Sequence, residues 1–385
     1  MANIFALLLG SSYLCRMKYA IIGPAWPYRG GIAAFSERLA RQLIAEGHEV
    51  VLYTFTLQYP SVLFPGKTQY SSDPAPEGLT IHRSFSSVNP FSWFRAGRAI
   101  RREHPDIVVF AYWMSFMVPC YAALAASLAK DKHVRLVGLM HNMIPHEPRL
   151  IDKLLPRHFV RRMDGFIALS ASVADDVKKI IKPDSHKKIT ITPHPLYDHY
   201  GELLPKAEAR RTLGLDADAR YVLFFGLVRA YKGLDLLLEA LADERLQHAG
   251  VRLVVAGEFY DDEEGYCQQI QMLGLTDRVE LHDSFVPDAK VRLYFSAADI
   301  VCQPYRSATQ SGVTQIAYHF AKPMLVTDVG GLSEVVPHVS VGQQPTDSCA
   351  GYVVPPAPEV IADALDDFFQ YDRQATFTRG ASTEK

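Results

Sequence analysis

Short apolar runs and amphipathic stretches alternate along most of this chain. YAIIG, at 19–23, reads as a buried strand, and in the following GIAAFSERLARQLIAEGH the residues Ile32, Phe35, Leu39 and Leu43 share one helical face before a glycine stop. EVVLYTF is the next strand, so the chain opens with strand, glycine loop, helix and strand, the beginning of a parallel α/β sheet. Residues 57–100 are rich in proline, serine and aromatic side chains and include TIHRSF and the segment around Trp93. DIVVFAYW, a helical run from Phe116 to Leu128, HVRLVGLMH, GFIALS, ASVADDVKKII and KKITITP then continue the alternation to about Tyr200. AEARRTLGL is a lead-in helix to a second series, in which YVLFFGLV, VRLVVAGEF, RVELHDSF, DIVCQPY and PMLVTDVG are strands with helical segments between them.

Two βα series in 385 residues predict two domains, since one hydrophobic core rarely serves a chain of that length. The expected boundaries are 17–200 for the first, 201–355 for the second, and 356–385 for a C-terminal helix, PEVIADALDDFFQY, with a polar tail that ends the chain early. Two such domains enclose a cleft, and ligands of open α/β sheets sit beyond the carboxyl ends of the strands. Residues 1–16 carry an apolar run too short to span a bilayer and no charged n-region. They are expected to be a leader or a misannotated start, with a membrane-touching segment as the alternative.

Composition narrows the class further. With 48% apolar and 21% charged residues and a formal net charge of −2, the chain is neither disordered nor strongly nucleic-acid-binding. Its 5 cysteines are dispersed, odd in number and form no CxxC, which suits a reducing, cytoplasmic compartment.

Three strand ends carry candidate chemistry. In GLVRAYKG, Arg229 and Lys232 stand between a strand and a helix whose first amides point the same way, an arrangement suited to a diphosphate. In PYRGGIAAF, Gly30 and Gly31 let backbone approach a ligand just before a helix. In PYRSATQSGVTQIAYHFAKP, Thr309, Ser311 and the amides of Gly312 and Val313 crowd a helix start, where they can meet phosphate oxygens or sugar hydroxyls. His141 follows the strand LVGLM, placed to bond a substrate hydroxyl or move a proton. His146 and Glu147 lie close by, but H-x4-H-E fits no zinc spacing. The acid run Asp261, Asp262, Glu263 and Glu264 reads as solvated surface, with no calcium-loop spacing around it.

Taken in order, IIGPAWPYRGGIAAFSERLARQL, GFIALSASVADDV, VLFFGLVRAYKGLDLLLEALA, the segment from VVAGEF to DIVCQPY, and FAKPMLVTDVGGLSEVVPH resemble the retaining glycosyltransferases of family 4, group 1. The resemblance covers most of residues 17–355 and is most specific in the C-terminal half. It implies the GT-B fold, an α/β architecture of two Rossmann-like domains facing each other across a cleft. It also implies transfer of a sugar from a nucleotide-sugar to an acceptor hydroxyl with retention and no obligatory metal. The donor expected first is a UDP-sugar and second a GDP-sugar. The acceptor that the resemblance implies is a glycan or a lipid-linked saccharide of the cell surface, made in the cytoplasm or at the inner face of the membrane. Arg229 and Lys232 match the family's pyrophosphate pair, Gly31 its N-terminal glycine loop, and His141 the histidine near the donor sugar. Gly30, Gln310, Ser311, Gly312, Val313, Gln315 and Glu334 complete the expected donor-binding set. The resemblance further implies a final helix that crosses back onto the first domain.

Two departures stand out. The arginine precedes the lysine by three residues rather than the commoner five, so the pair's geometry must differ. The family's two glutamates, counted back from Pro323, fall on Ala308 and Ile316, neither of which accepts a hydrogen bond through its side chain; Gln310 or Gln315 is expected to take part of that role. A noncatalytic nucleotide-sugar-binding partner therefore stays open, as does a GT-B nucleotide-sugar epimerase, although its extra carboxylates are not evident. A Rossmann oxidoreductase fits poorly, because GxGxxG is missing and EVVLYTF ends without an acid. LYTFTLQYPSVLFPG and the cations Arg157, Arg161 and Arg162 are expected either to face a membrane or, for the arginines, to be an ordinary solvated helix.

Overall fold

In the computed structural model, which describes residues 16–64, 66, 68–143, 155–181, 186–192 and 197–384, the alternation resolves into two all-parallel sheets. They belong to two units, residues 1–194 and 195–385.

The first unit is built from β1 (Lys18–Ile22), α1 (Gly31–Ala45), β2 (Glu49–Leu57), β3 (Thr80–Ser86), α2 (Pro90–Arg102), β4 (Ile107–Tyr112), α3 (Val118–Leu128), β5 (Arg135–Met140), α4 (Pro156–Val160), β6 (Gly165–Ala168), α5 (Ala171–Ile180) and β7 (Lys188–Ile191). Among the described residues its seven strands run in the order β3-β2-β1-β4-β5-β6-β7. β4, IVVFAY, is buried along its whole length, as expected for a strand covered by helices on both faces. Ile22, Phe55, Phe110, Tyr121 and Phe159 form the middle of the core. Asn89 starts α2 by accepting the Phe91 N–H at 3.1 Å, with Pro90 in the first turn, and the Trp93 indole donates to Ser86 O at 2.6 Å, tying the helix to β3.

The second unit follows the same plan: α6 (Lys206–Leu213), β8 (Arg220–Phe225), α7 (Leu234–Leu241), α8 (Glu244–His248), β9 (Val251–Ala256), α9 (Glu263–Met272), β10 (Val279–His282), α10 (Asp288–Ala297), β11 (Ile300–Gln303), α11 (Gly312–His319), β12 (Met324–Thr327), β13 (Gly351–Val354), α12 (Pro358–Gln370) and α13 (Gln374–Thr383). Its strands run β10-β9-β8-β11-β12-β13. In each sheet the order reverses direction beside the first strand, between β1 and β4 and between β8 and β11. Such a reversal leaves a crevice at the carboxyl ends of those strands, and the loop after β1, the loop after β8 and the loop after β11 all open there.

Two elements at the chain's end differ from expectation. GYVV, too short to read as a strand, pairs with β12 from Met324↔Gly351 to Thr327↔Val354. The segment expected as a polar tail after 371 folds as α13. Its Phe377 joins Tyr352 and Phe368 in the core, and a Cβ on Gly380 would stand 2.1 Å from Cys349 O, so the helix presses directly on backbone. PEVIADALDDFFQY is α12, which buries Ile361, Leu365 and Phe368 in the core of the second unit. The turn between α12 and α13 is held by a buried carboxylate: Asp367 accepts from the Tyr352 hydroxyl and from Arg373 Nε at 3.2 Å. Cys120, Cys302 and Cys349 are buried free thiols and Cys267 a partly buried one. The leader expectation for 1–16 and the His146–Glu147 pair lie outside the described residues, apart from Arg16.

Candidate functional site

The second unit gathers most of the predicted site residues around the β8/β11 crevice. Gly226 follows β8, Arg229 is extended, and Ala230–Lys232 form a single 3-10 turn leading into α7. A Cβ on Gly226 would lie 3.3 Å from Lys232 Nζ and 3.6 Å from Val313 Cγ2. The Lys232 ammonium thus folds back over the end of β8 and beside the first turn of α11. It also sits 5.5 Å above the Tyr305 ring, and Tyr305 in turn meets Tyr231 edge-on at 6.3 Å. Burial lowers the Lys232 pKa to about 8, with the nearby Arg229 charge acting in the same direction. Arg229 points elsewhere, over the Tyr260 ring at 5.1 Å. The three-residue spacing therefore gives two cations on separate aromatic seats, close enough for the Arg229 charge to act on Lys232.

The turn is braced from three directions. Gly233 adopts φ +66, and a Cβ there would stand 2.0 Å from Pro304 O, so only glycine permits the contact between the loop after β8 and the end of β11. Asp261 accepts the Ala230 N–H at 2.7 Å. Arg306, whose own N–H donates to Tyr231 O at 2.7 Å, grips Asp235 at the start of α7 with two bonds of 2.5 and 2.6 Å. The acid run read as solvated surface is indeed exposed, but two members hold structure: Asp261 fixes the cationic turn, and Asp262 caps α9 by accepting the Gly265 N–H at 3.0 Å. Asp261, Tyr260, Tyr305 and Arg306 were not among the expected site residues. Their available signal was position, since each lies just past the end of β9 or β11.

The start of α11 differs in one respect from expectation. Ser311 is its N-cap and accepts the Val313 N–H at 3.2 Å, so that amide is already committed. Gly312 N–H has no partner among the described residues, and the glycine packs on Tyr197, 3.0 Å from where a Cβ would be. Gln315 is buried in the first turn and Gln310 half-buried in the preceding loop. Ala308 and Ile316, at the two glutamate positions, are both buried and apolar. Ala308 O is met by Gly330, where a Cβ would stand 1.6 Å away. Glu334 is exposed on the 3-10 turn Ser333–Val335, which is docked on α11 by a hydrogen bond from the Tyr318 hydroxyl to Val335 O.

The first unit holds the remaining three. Gly30, at φ +108, begins α1, which has no side-chain cap, and Gly31 is exposed as its first residue. His141 is buried just past β5. Its N–H donates to Tyr112 O at 2.9 Å, and its ring meets Phe35, one turn into α1, edge-on at 4.7 Å. The histidine and the glycine-led helix are thus brought together. The loop between them and β1 is fixed by Glu37, which accepts the Trp26 N–H at 2.7 Å, and by Thr54, which accepts the Ala25 N–H at 3.1 Å. Among the described residues no group of three or more His, Cys, Asp or Glu could hold a metal ion.

Two Rossmann-like α/β domains with these strand orders constitute the GT-B fold. Residues 29–197 match the family described as Glycosyltransferase Family 4, and residues 219–370 match Glycosyl transferases group 1. The chain is a GT-B-fold glycosyltransferase of these families. A D-inositol 3-phosphate glycosyltransferase of Streptomyces scabiei is 29% identical over 333 residues, spanning 80% of this chain and 73% of that protein. Among solved structures, Anabaena HepE in complex with UDP-glucose superposes with a TM-score of 0.70 at 16% identity, covering 96% of this chain and 94% of that one. WaaG, a glycosyltransferase involved in lipopolysaccharide biosynthesis, gives 0.65 at 18% identity, covering 96% and 94%.

Proposed function

We propose that this chain transfers a sugar from a nucleotide-sugar, a UDP-sugar first and a GDP-sugar second, to an acceptor hydroxyl with retention of anomeric configuration. The setting proposed is cell-surface glycan or glycolipid synthesis in the cytoplasm, on a glycan or lipid-linked acceptor. The observation that carries the reading is the Lys232 ammonium seated beside the first turn of α11 at the β8/β11 crevice. It gives a diphosphate a full positive charge, the Gly312 N–H and a helix N-terminus at one point.

In the reaction the bond from the sugar's anomeric carbon to the β-phosphate oxygen breaks as the bond to the acceptor oxygen forms on the same face. The acceptor proton passes to the departing phosphate. Negative charge grows on that phosphate, and Lys232 and Arg229 oppose it; losing one such group costs about 3 kcal/mol of transition-state stabilisation. Gly30 and Gly31 leave room for backbone to approach the ligand, His141 bonds a donor-sugar hydroxyl, and Gln310 and Gln315 serve hydroxyls that Ala308 and Ile316 cannot. Ser311, Val313 and Glu334 complete the donor set, Val313 through its side chain beside Lys232.

Buried apolar residues at both glutamate positions favour one second reading, a nucleotide-sugar-binding partner without turnover. A panel of UDP-, GDP- and ADP-sugars distinguishes the two. The expected result is saturable binding and sugar transfer for one nucleotide, both weakened about a hundredfold in Arg229→Ala and Lys232→Ala. Binding without transfer or hydrolysis across the panel would select the noncatalytic partner, and no binding at all would refute both.

A further inference from the structure

The first unit gathers its most exposed apolar side chains in one place, where its fold does not need them. Val62 is 93% exposed and Phe91 82%, the two most exposed large apolar residues among those described; Phe94 is 67% and Val88 47% exposed. Val62 lies on the 3-10 turn Ser61–Leu63 that follows β2, and Val88, Phe91 and Phe94 follow β3, the strand paired with β2 at the sheet's edge. All four therefore sit at the carboxyl-end edge of adjacent strands, the same edge that carries Gly31 and His141. The rest of the aromatic segment after β2 turns inward instead: Tyr59 stacks on Phe64 and Phe116, and its hydroxyl accepts from the Trp113 indole at 2.9 Å. The strongest apolar exposure in this unit is thus at the tip; Ile191, Tyr70 and Ile44, elsewhere in the unit, are 51%, 40% and 39% exposed.

Behind the tip, the solvent-facing stripe of α2 continues as Arg95, Arg98 and Arg102, all exposed, and the helix contains no acidic residue. At 1.5 Å per residue, Phe91 and Arg98 are separated by roughly 10 Å along the axis. That separation matches the step from the acyl boundary of a bilayer to its headgroups. We infer that the Val62–Phe91–Phe94 tip and the Arg95–Arg98–Arg102 stripe dock this unit on an anionic lipid surface, with the tip inserted and the arginines at the phosphates. Apolar contact alone would leave the stripe unexplained; charge complementarity with anionic headgroups explains why three arginines follow the phenylalanines. The inference is independent of the proposed transfer reaction.

Flotation of the full chain with phosphatidylcholine vesicles, with and without phosphatidylglycerol, tests it. The wild-type chain is expected to float with the anionic vesicles and to be released by salt. Val62→Ser with Phe91→Ser should weaken partitioning at least about tenfold, since each removes an apolar group that insertion buries. Arg98→Ala should weaken it about fivefold. All these residues are exposed, so the melting curve of each variant should match the wild type. No flotation of the wild-type chain, or flotation that survives the Val62 and Phe91 substitutions, overturns the inference. Concentration-dependent self-association that those substitutions abolish, without flotation, overturns it too and assigns the face to a second copy of the chain.

Discussion

The first four strands of each sheet are arranged alike, β3-β2-β1-β4 in one unit and β10-β9-β8-β11 in the other, yet the two crevices are furnished in opposite ways. The second unit spends its loops on charge and on bracing: two cations on aromatic seats, a carboxylate on the turn's amide, an arginine fork onto α7 and glycine against carbonyl. The first offers a glycine-led helix start, a histidine packed on phenylalanine and a group of aromatic rings, with open space around Gly30. The topology sets where a ligand can sit, and loop residues alone decide which ligand. In the proposed reaction the second sheet takes the diphosphate and the first meets a sugar hydroxyl.

The contrast is sharpest at the two glycines that lead into the first helix of each crevice. Gly233→Ala drives a Cβ into Pro304 O, which should cost the second unit about 3 kcal/mol in urea denaturation and abolish nucleotide binding. Gly30→Ala meets no atom within 4 Å and carries only the strain of φ +108, so the first unit should lose about 1 kcal/mol. Equal losses would show that the second crevice is not braced as its geometry indicates.

Titration gives a smaller but more specific difference. A diphosphate favours the charged form of Lys232, whose pKa in the free chain is about 8. Below that pH the ammonium is already present and affinity is flat. Above it, binding must take up a proton, so affinity should fall by up to about tenfold per pH unit. Calorimetry between about pH 7 and 9.5 checks this, and Lys232→Arg, charged throughout, should flatten the fall. The smallest effect is expected at Asp261, which touches the turn and not the ligand. Asp261→Ala should raise the donor KM about fivefold with kcat and the acceptor KM nearly unchanged.

Much of this arrangement was legible from sequence, for reasons that also mark its limits. Fully buried parallel strands such as YAIIG and DIVVFAYW announce themselves as unbroken apolar runs, and the glycines and cations after them mark the crevices. GYVV gave too short a run, and α13 too few apolar positions: of its buried residues Phe377, Gly380 and Ala381 only Phe377 is large, and the segment around them is polar. The commitment of the Val313 amide to Ser311 was hidden because a cap and a ligand site share one composition. Asp261 was hidden because an acid that holds a backbone amide looks, in sequence, like any other surface acid. Contacts between distant loops have no local signature at all, as with Gly330 and Ala308 or Phe35 and His141.

Those loop contacts carry a consequence for how such a chain changes over time. Gly233 on Pro304 and Gly330 on Ala308 are meetings of backbone with backbone, so the contour of the crevice is written by main chain rather than by the side chains that line it. The residues at 308, 310, 315 and 316 are then free to drift while the contour survives. Under the proposed reaction, a descendant can exchange the sugar it selects without rebuilding the platform that presents it.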